Sequence, residues 1–166
     1  MAIEHDYFGV LTAGPDGSIF WTDEVEFGDH VVTVDLTAPD EDAVVAEALD
    51  LAAALITGIE NIDMAARRAM LAEIDDRTSE VTEFVLQQQE ELGEDLYDFL
   101  VDISGDDAVD IIRSLRMLTM TILADEHDGS DAFAVLEYLL DQDSDESTLL
   151  VNFSADGSVL SVVSSE

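Results

Sequence analysis

Apolar residues in this chain recur at two different spacings, and the order of these spacings limits the folds that the chain can adopt. Near both ends apolar residues alternate with polar ones, as in half-buried β-strands, whereas in the middle they fall every three or four residues, as on one face of an α-helix. This pattern predicts strands within residues 3–36, helices within 39–113 and strands within 116–164. Strands followed by helices and then by further strands favour an α+β domain over alternating βαβ units.

The N-terminal segment predicts an antiparallel meander. Two strand-like runs, IEHDYFGVL and SIFWTDEVEF, flank the turn signal Gly14–Gly17, and a third run, HVVTVDL, follows shortly afterwards. The first run is interpreted as one strand, with alternate residues from Ile3 to Leu11 on one face. In the second run, alternation places Trp21 on the inner face of the sheet, together with Ile19, Val25 and Phe27.

Helical periodicity starts after Pro39, where Asp40 and Asp42 suit the positive N-terminal end of a helix. A last apolar stripe runs from Leu92 to Ile103. Beyond it, four strand-like runs predict consecutive antiparallel strands, the last two joined by a hairpin signal at 154–157. We therefore expect one α+β domain over residues 1–166, in which an antiparallel sheet from the meander and the four C-terminal strands packs on a central helical block.

The acidic excess narrows the classes of partner. Forty Asp and Glu residues stand against five Arg and no Lys, a formal charge of -35, while Leu, Ile, Val and Phe make up about a third of the 166 residues. That apolar share is enough to build a core. Because phosphate backbones and anionic membranes repel such a surface, we expect no nucleic-acid and no membrane partner. Two explanations of the acidity stay open: a salt-adapted or acid-rich proteome, or a surface that binds a basic protein partner.

Few residues point to catalysis. The chain has no Cys and contains no HExxH, GxSxG, GxGxxG or P-loop motif, so we expect no cofactor. His5 and His127 are the candidate functional histidines, one in the first strand and the other in an acidic turn. His5 is more typical of a packed or hydrogen-bonded strand residue than of a catalytic one.

The stretch LLDQDSDEST places Asp141, Asp143 and Asp145 at the alternate spacing with which a calcium-binding loop begins. Such a loop needs Gly at its sixth position and Glu at its twelfth, and here these positions hold Glu146 and Asn152. The flanking runs are also strand-like, whereas the calcium motif lies between helices. The three aspartates are therefore weak metal candidates, and a solvated hairpin turn is favoured.

Four of the five arginines occur as the neighbours Arg67 and Arg68 and as the pair Arg113 and Arg116. Clustered arginines in an acidic chain have two interpretations, since they can bind an anionic ligand or form intramolecular ion pairs. The large excess of carboxylates favours ion pairs.

Several motifs together resemble a family of small uncharacterised bacterial proteins, a domain of unknown function. They are the opening IEHDYFGVL, the glycine-rich turn, Trp21, the helical sequence AARRAML and the ending LLVNFSADGSV. The resemblance implies an α+β bacterial protein and carries over no catalytic or binding residues. Small proteins of this general type also occur among toxin-immunity genes, which is an analogy at the level of the fold.

Together these patterns predict a non-enzymatic protein that acts through protein–protein contacts, of immunity or inhibitor type. The N-terminal residues lack a secretory signal and no apolar run reaches about 18 residues, which predicts a cytoplasmic protein. Two alternatives stay open: a hydrolase or metal-dependent enzyme with a His/carboxylate site, and a generic domain whose acidity reflects its proteome.

Overall fold

The computed structural model describes residues 2–28, 30–40, 42, 44, 46–124, 132–140 and 148–165. Within these ranges, eight strands lie towards the two ends of the chain: β1 (Ala2–His5), β2 (Gly9–Thr12), β3 (Ile19–Phe27), β4 (His30–Ala38), β5 (Arg116–Leu123), β6 (Ala134–Leu139), β7 (Thr148–Phe153) and β8 (Val159–Ser165). In the described part of the connection between β4 and β5 lie five α-helices: α1 (Ala46–Thr57), α2 (Ile59–Glu73), α3 (Glu80–Leu92), α4 (Leu96–Phe99) and α5 (Asp107–Ser114), with a 3-10 turn at Gly93–Asp95. The predicted α+β fold class is confirmed.

Six of the strands form one sheet in the order β3-β4-β5-β6-β7-β8. Every neighbouring pair is antiparallel except β4 and β5, which are parallel. The prediction of an antiparallel sheet is wrong at this pair. All five helices lie in the connection between β4 and β5, and such a long crossover returns the chain to the end of the sheet at which β4 began.

The first strand-like run folds as a separate two-stranded hairpin. β1 and β2 pair with each other in antiparallel fashion, and the chain reverses at residues 6–8. Gly9 follows the turn with a φ of 72°, a conformation that favours glycine. The prediction of one continuous strand is therefore wrong. Its alternation ends at the turn, where the buried Phe8 ring meets Trp21 edge-on at a centroid distance of 4.8 Å.

The first helix begins later than the sequence predicts. β4 continues to Ala38, and α1 begins at Ala46. Leu36 and Ala38 are buried in the sheet, where pairing with β3 holds them in extended conformation. The acids after Pro39 therefore lie between a strand and a helix, because burial in the sheet outweighs the local helix-start signal.

The predicted apolar stripe from Leu92 to Ile103 is not one helix. α3 ends where Gly93 adopts a φ of 53°, and α4 ends at Phe99 because Leu100 is extended. Ile103 lies beyond both helices and is exposed. None of the helices in the described ranges is long and apolar enough to cross a membrane.

One face of the six-stranded sheet forms the core together with the helices. Val34, Met120, Leu136 and Val151 lie in one row across four strands, and all are fully buried. Trp21 lies on the same face, as alternation predicts, and packs half-buried against the edge of the core. The helical crossover therefore covers the face that the sequence marks as apolar.

The alternation of β5 predicts Leu118 on the inner face with Met120 and Ile122. A bulge between Met117 and Thr119 shifts the register by one residue. Met117 is therefore the buried residue and Leu118 is exposed, which corrects the prediction at this position.

Candidate functional site

Four residues singled out in the sequence lie outside the part of the chain that the structure describes: His127, Asp141, Asp143 and Asp145. Within the described ranges, no group of three or more His, Asp or Glu side chains is arranged to hold a metal ion. The interpretation of the stretch that contains Asp141, Asp143 and Asp145 as a solvated hairpin turn therefore stays a prediction.

His5 lies at the end of β1, and both nitrogens of its ring are engaged. Nε2 is 2.8 Å from Oδ1 of Asp50 on α1, and Nδ1 accepts a hydrogen bond of 3.1 Å from the backbone N–H of Tyr7. Because Nδ1 is an acceptor, the proton of the neutral ring is on Nε2 and is donated to Asp50. The His5 side chain is 12% exposed and that of Asp50 is 75% exposed. The pair fastens the β1–β2 hairpin to α1.

A shallow cleft of about 510 Å3 opens beside this pair, lined by Glu4, His5, Asp6, Gly9, Val10 and Asp50. A general base needs a free lone pair that faces its substrate. In His5 that lone pair points at the Tyr7 N–H, so catalysis by His5 would first have to break this hydrogen bond.

The guanidinium group of Arg67, on α2, forms hydrogen bonds with other groups of the chain. Its Nε donates to the carboxylate of Asp63 one turn earlier, at 3.0 Å to Oδ2. Its Nη1 donates to the carbonyl of Ile112 at 2.7 Å, and its Nη2 donates to the carbonyl of Leu115 at 2.6 Å. These carbonyls belong to the C-terminal end of α5, where unpaired C=O groups and the helix dipole favour a cation. Arg67 therefore joins α2 to the end of α5.

The same carboxylate also reaches the sheet. The hydroxyl of Tyr138, on β6, donates to Oδ1 of Asp63 at 2.7 Å, and the guanidinium carbon of Arg67 lies 5.4 Å from the centroid of the Tyr138 ring. Burial, and then the charge of Asp63, raise the pKa of Tyr138 far above its usual range, so its hydroxyl stays protonated as the donor. We name Asp63, Arg67 and Tyr138 the buried brace, because they tie α2 to both α5 and β6.

The structure brings the backbone of Arg113 next to Arg67, whose Nη1 also donates to the Arg113 carbonyl at 3.2 Å. Arg68 and Arg113 have exposed side chains, and Arg116 begins β5 opposite Leu139. Arg113 lies in the last turn of α5, where a cation suits the helix dipole. Arg67 forms an intramolecular ion pair with Asp63, and all three of its nitrogens donate to groups of the chain itself.

A second buried acid, Asp110 on α5, holds the segment that precedes that helix. Its carboxylate accepts hydrogen bonds from the backbone N–H and the hydroxyl of Ser104, at 2.8 and 2.7 Å. Ser114, one turn later, accepts a hydrogen bond of 2.9 Å from the N–H of Val101. The Ser104 hydroxyl is the main cause that lowers the pKa of Asp110 below its usual value, against the opposing effect of desolvation.

Asp110→Asn should destabilise the protein most at neutral pH. A carboxyl whose folded-state pKa lies below its unfolded value of about 3.9 contributes stability that is present above that value. This contribution is lost as the pH falls through the lowered folded-state pKa. Thermal unfolding of both proteins should therefore show a difference in melting temperature that shrinks below about pH 4.

The matched control is Asp102→Asn, on the exposed part of the same segment. It should leave the melting temperature close to that of the wild type across the whole range. A difference for Asp110→Asn that stays constant from about pH 7 to about pH 3 would contradict a stabilising ionised Asp110.

The two edges of the six-stranded sheet differ in their protection. β3, at one edge, carries Asp23, Glu24 and Glu26, and charged side chains are a common protection of an edge strand against pairing with another chain. β8, at the other edge, has the sequence VLSVVSS, without a charged residue or Pro. In a chain with 40 acids this uncharged edge is unusual. No strand in the described ranges pairs with its outer side.

The backbone of β8 directs hydrogen-bonding groups away from the sheet. The N–H of Ser164 donates to Oε1 of Glu80 at 3.4 Å rather than to β7. Because paired residues of an antiparallel ladder alternate between inward and outward N–H groups, the N–H of Val162 points the same way as that of Ser164. A contact of 3.4 Å is at the long limit of a hydrogen bond, so Glu80 covers this edge only weakly.

Helix α3 runs beside this end of β8, and the two form a shallow groove of about 350 Å3, lined by Glu83, Leu86, Gln87, Glu90 and Ser164. We name it the α3–β8 groove. The α3 residues are spaced three, four and seven apart, which places them on one face of the helix, and Leu86 is 59% exposed. The sequence patterns did not predict this site, although the sequence contains both the uncharged run of β8 and the two acids on either side of a leucine in α3.

No family model, no curated protein and no solved structure matches the chain. The resemblance to small uncharacterised bacterial proteins therefore stays a prediction, and the candidate sites are characterised by their own geometry.

Proposed function

We propose that this protein is a non-enzymatic binding protein that engages a basic partner protein through the α3–β8 groove. The observation that carries the proposal is the open, uncharged outer edge of β8 beside a wall of α3 that bears Glu83 and Glu90. An unpaired strand edge offers backbone donors and acceptors to another chain. Action of immunity or inhibitor type and a cytoplasmic location are parts of the same proposal.

The negative charge around the groove favours a basic partner. Glu80, Glu83 and Glu90 surround it with carboxylates, in a molecule of formal charge -35. This field attracts a basic surface over about 10 Å at 0.1 M salt, which speeds encounter and disfavours acidic competitors. The exposed Leu86 between the acids adds apolar area at the contact.

The test is a titration of a short, capped, fluorescently labelled peptide of alternating Lys and Val with the full chain at low salt. The double variant Glu83→Gln/Glu90→Gln should weaken binding about tenfold, because it removes two carboxylates from the groove. The double variant Glu47→Gln/Glu60→Gln changes the net charge equally on α1 and α2, and should change the affinity less than about twofold. Equal effects of the two double variants would show diffuse attraction by the whole surface and would refute the proposal.

A hydrolase or metal-dependent enzyme is the second candidate, and the cleft beside His5 and Asp50 is the observation that favours it. Against it stands the hydrogen bond from the Tyr7 N–H, which occupies the lone pair that a general base or a metal ligand needs. A generic domain with a proteome-wide acidic surface is the third candidate, and it predicts equal effects of the two double variants.

A further inference from the structure

We propose that the α3–β8 groove binds its partner by strand addition: an extended, basic segment of the partner pairs with the outer edge of β8 and lengthens the sheet by one strand. The inference rests on the proposed function and adds the backbone conformation and the sequence pattern of the partner. In strand addition, main-chain hydrogen bonds provide affinity and alternate side chains provide specificity.

The backbone of β8 meets the first requirement of this binding mode. The N–H groups of Val162 and Ser164 point away from β7, and the Ser164 N–H donates to the Glu80 carboxylate at 3.4 Å. That carboxylate lies where the carbonyl of an added strand would accept a hydrogen bond. An incoming carbonyl therefore replaces Glu80, and the released carboxylate is free to pair with a basic side chain of the partner.

The side chains around the edge define the sequence of the partner segment. Alternate residues of an added strand face opposite sides of the sheet, so one set faces α3 and the other set does not. Glu83 and Glu90 on the α3 side favour Lys or Arg in the first set. On the opposite side the neighbours are the small, uncharged residues of β8, Ser161, Val163 and Ser165, which favour Val, Thr or Ser in the second set.

A second copy of this chain is the alternative occupant of an open edge. Antiparallel pairing of two β8 strands about a twofold axis would bring both α3 helices to the same face of the joined sheet. Each helix carries Glu80, Glu83 and Glu90 next to its β8 edge, so the junction would gather like charges. A basic segment has the opposite effect, and for this reason we assign the edge to a partner of opposite charge.

The test compares two peptides of equal charge on the wild-type chain. One is the alternating Lys and Val peptide, and the other is the same peptide with an N-methyl group on every backbone nitrogen, so that none of its backbone nitrogens can donate a hydrogen bond. Strand addition requires the N-methylated peptide to bind about tenfold more weakly or worse. On the protein side, Ser164→Pro removes an outward N–H that the β7 ladder does not use and should also lower affinity about tenfold, whereas Ser164→Ala keeps that N–H and should bind like the wild type.

Each result decides between the two proposals. Equal binding of both peptides, with Glu83→Gln/Glu90→Gln still weakening both, would overturn strand addition and leave the proposed function standing. Binding of neither peptide would overturn both proposals. Light scattering of the free chain tests the alternative occupant. If the wild-type chain is a dimer and Ser164→Pro dissociates it, the edge of β8 binds a second copy of this chain and the assignment to a basic partner is overturned. Circular dichroism checks the fold of Ser164→Pro, and the peptide comparison does not depend on that variant.

Discussion

Replacing Arg67 with Met should lower the free energy of unfolding by about 3–5 kcal/mol, because it breaks a mostly buried ion pair and leaves the buried Asp63 carboxylate without its counter-charge. The variant keeps the Asp63 carboxylate buried, with the Tyr138 hydroxyl as its remaining donor in the buried brace. It also removes the guanidinium that binds the carbonyls of Ile112 and Leu115 at the end of α5. Urea unfolding followed by circular dichroism measures the loss.

Arg68→Met is the matched control, since Arg68 is the next residue and its side chain is exposed. It should cost about 0.5 kcal/mol or less. In the double variant Asp63→Ala/Arg67→Met no buried carboxylate is left unpaired, so its destabilisation should be smaller than the sum of the single effects by about 1 kcal/mol or more. A loss below about 1 kcal/mol for Arg67→Met would contradict the buried brace.

The melting temperature should rise steeply as NaCl is raised from about 0.01 M to about 1 M. Forty acids with five arginines repel one another in the folded state, and the unfolded chain spreads the same charge over a larger volume. Over this range the screening length falls from about 30 Å to about 3 Å, so repulsion between separated surface acids is largely removed. Each kcal/mol of stability gained corresponds to about 2–4 °C in melting temperature for a chain of this size. Scanning calorimetry measures the change.

The two explanations of the acidity differ in what happens beyond this range. An acidic surface that reflects a salty habitat should give continued stabilisation in multimolar KCl. If the surface instead binds a basic partner, the alternating Lys and Val peptide should raise the melting temperature at low salt. This increase should become smaller as salt slows the association of the peptide with the chain. A melting temperature that is flat or falls between the two NaCl concentrations would refute charge repulsion as a limit on the stability of this fold.

Alternation of apolar residues correctly predicted the buried face of a strand where that strand is regular and uninterrupted. It placed Trp21 on the inner face, because a shift by one residue would turn every apolar side chain to solvent. The four consecutive C-terminal strands were predicted from strand-like runs, one of which, FAVLEYLL, is apolar on both faces apart from Glu137. Alternation failed where neighbouring structure changed the path of the chain. The turn before Gly9 interrupts the first strand-like run. The bulge before Thr119 buries Met117 and leaves Leu118 exposed.

The amino-acid sequence by itself determined the α+β class of the fold and the acidic character of its surface, since periodicity and composition are properties of local sequence. Only the tertiary structure decided which side chains meet. Arg67 binds carbonyls 45 and 48 residues away because the helical crossover packs α2 against α5, and His5 binds a carboxylate 45 residues away on α1. The place of β8 at the edge of the described six-stranded sheet likewise depends on strand order, which is set by the packing of the whole chain rather than by any one segment.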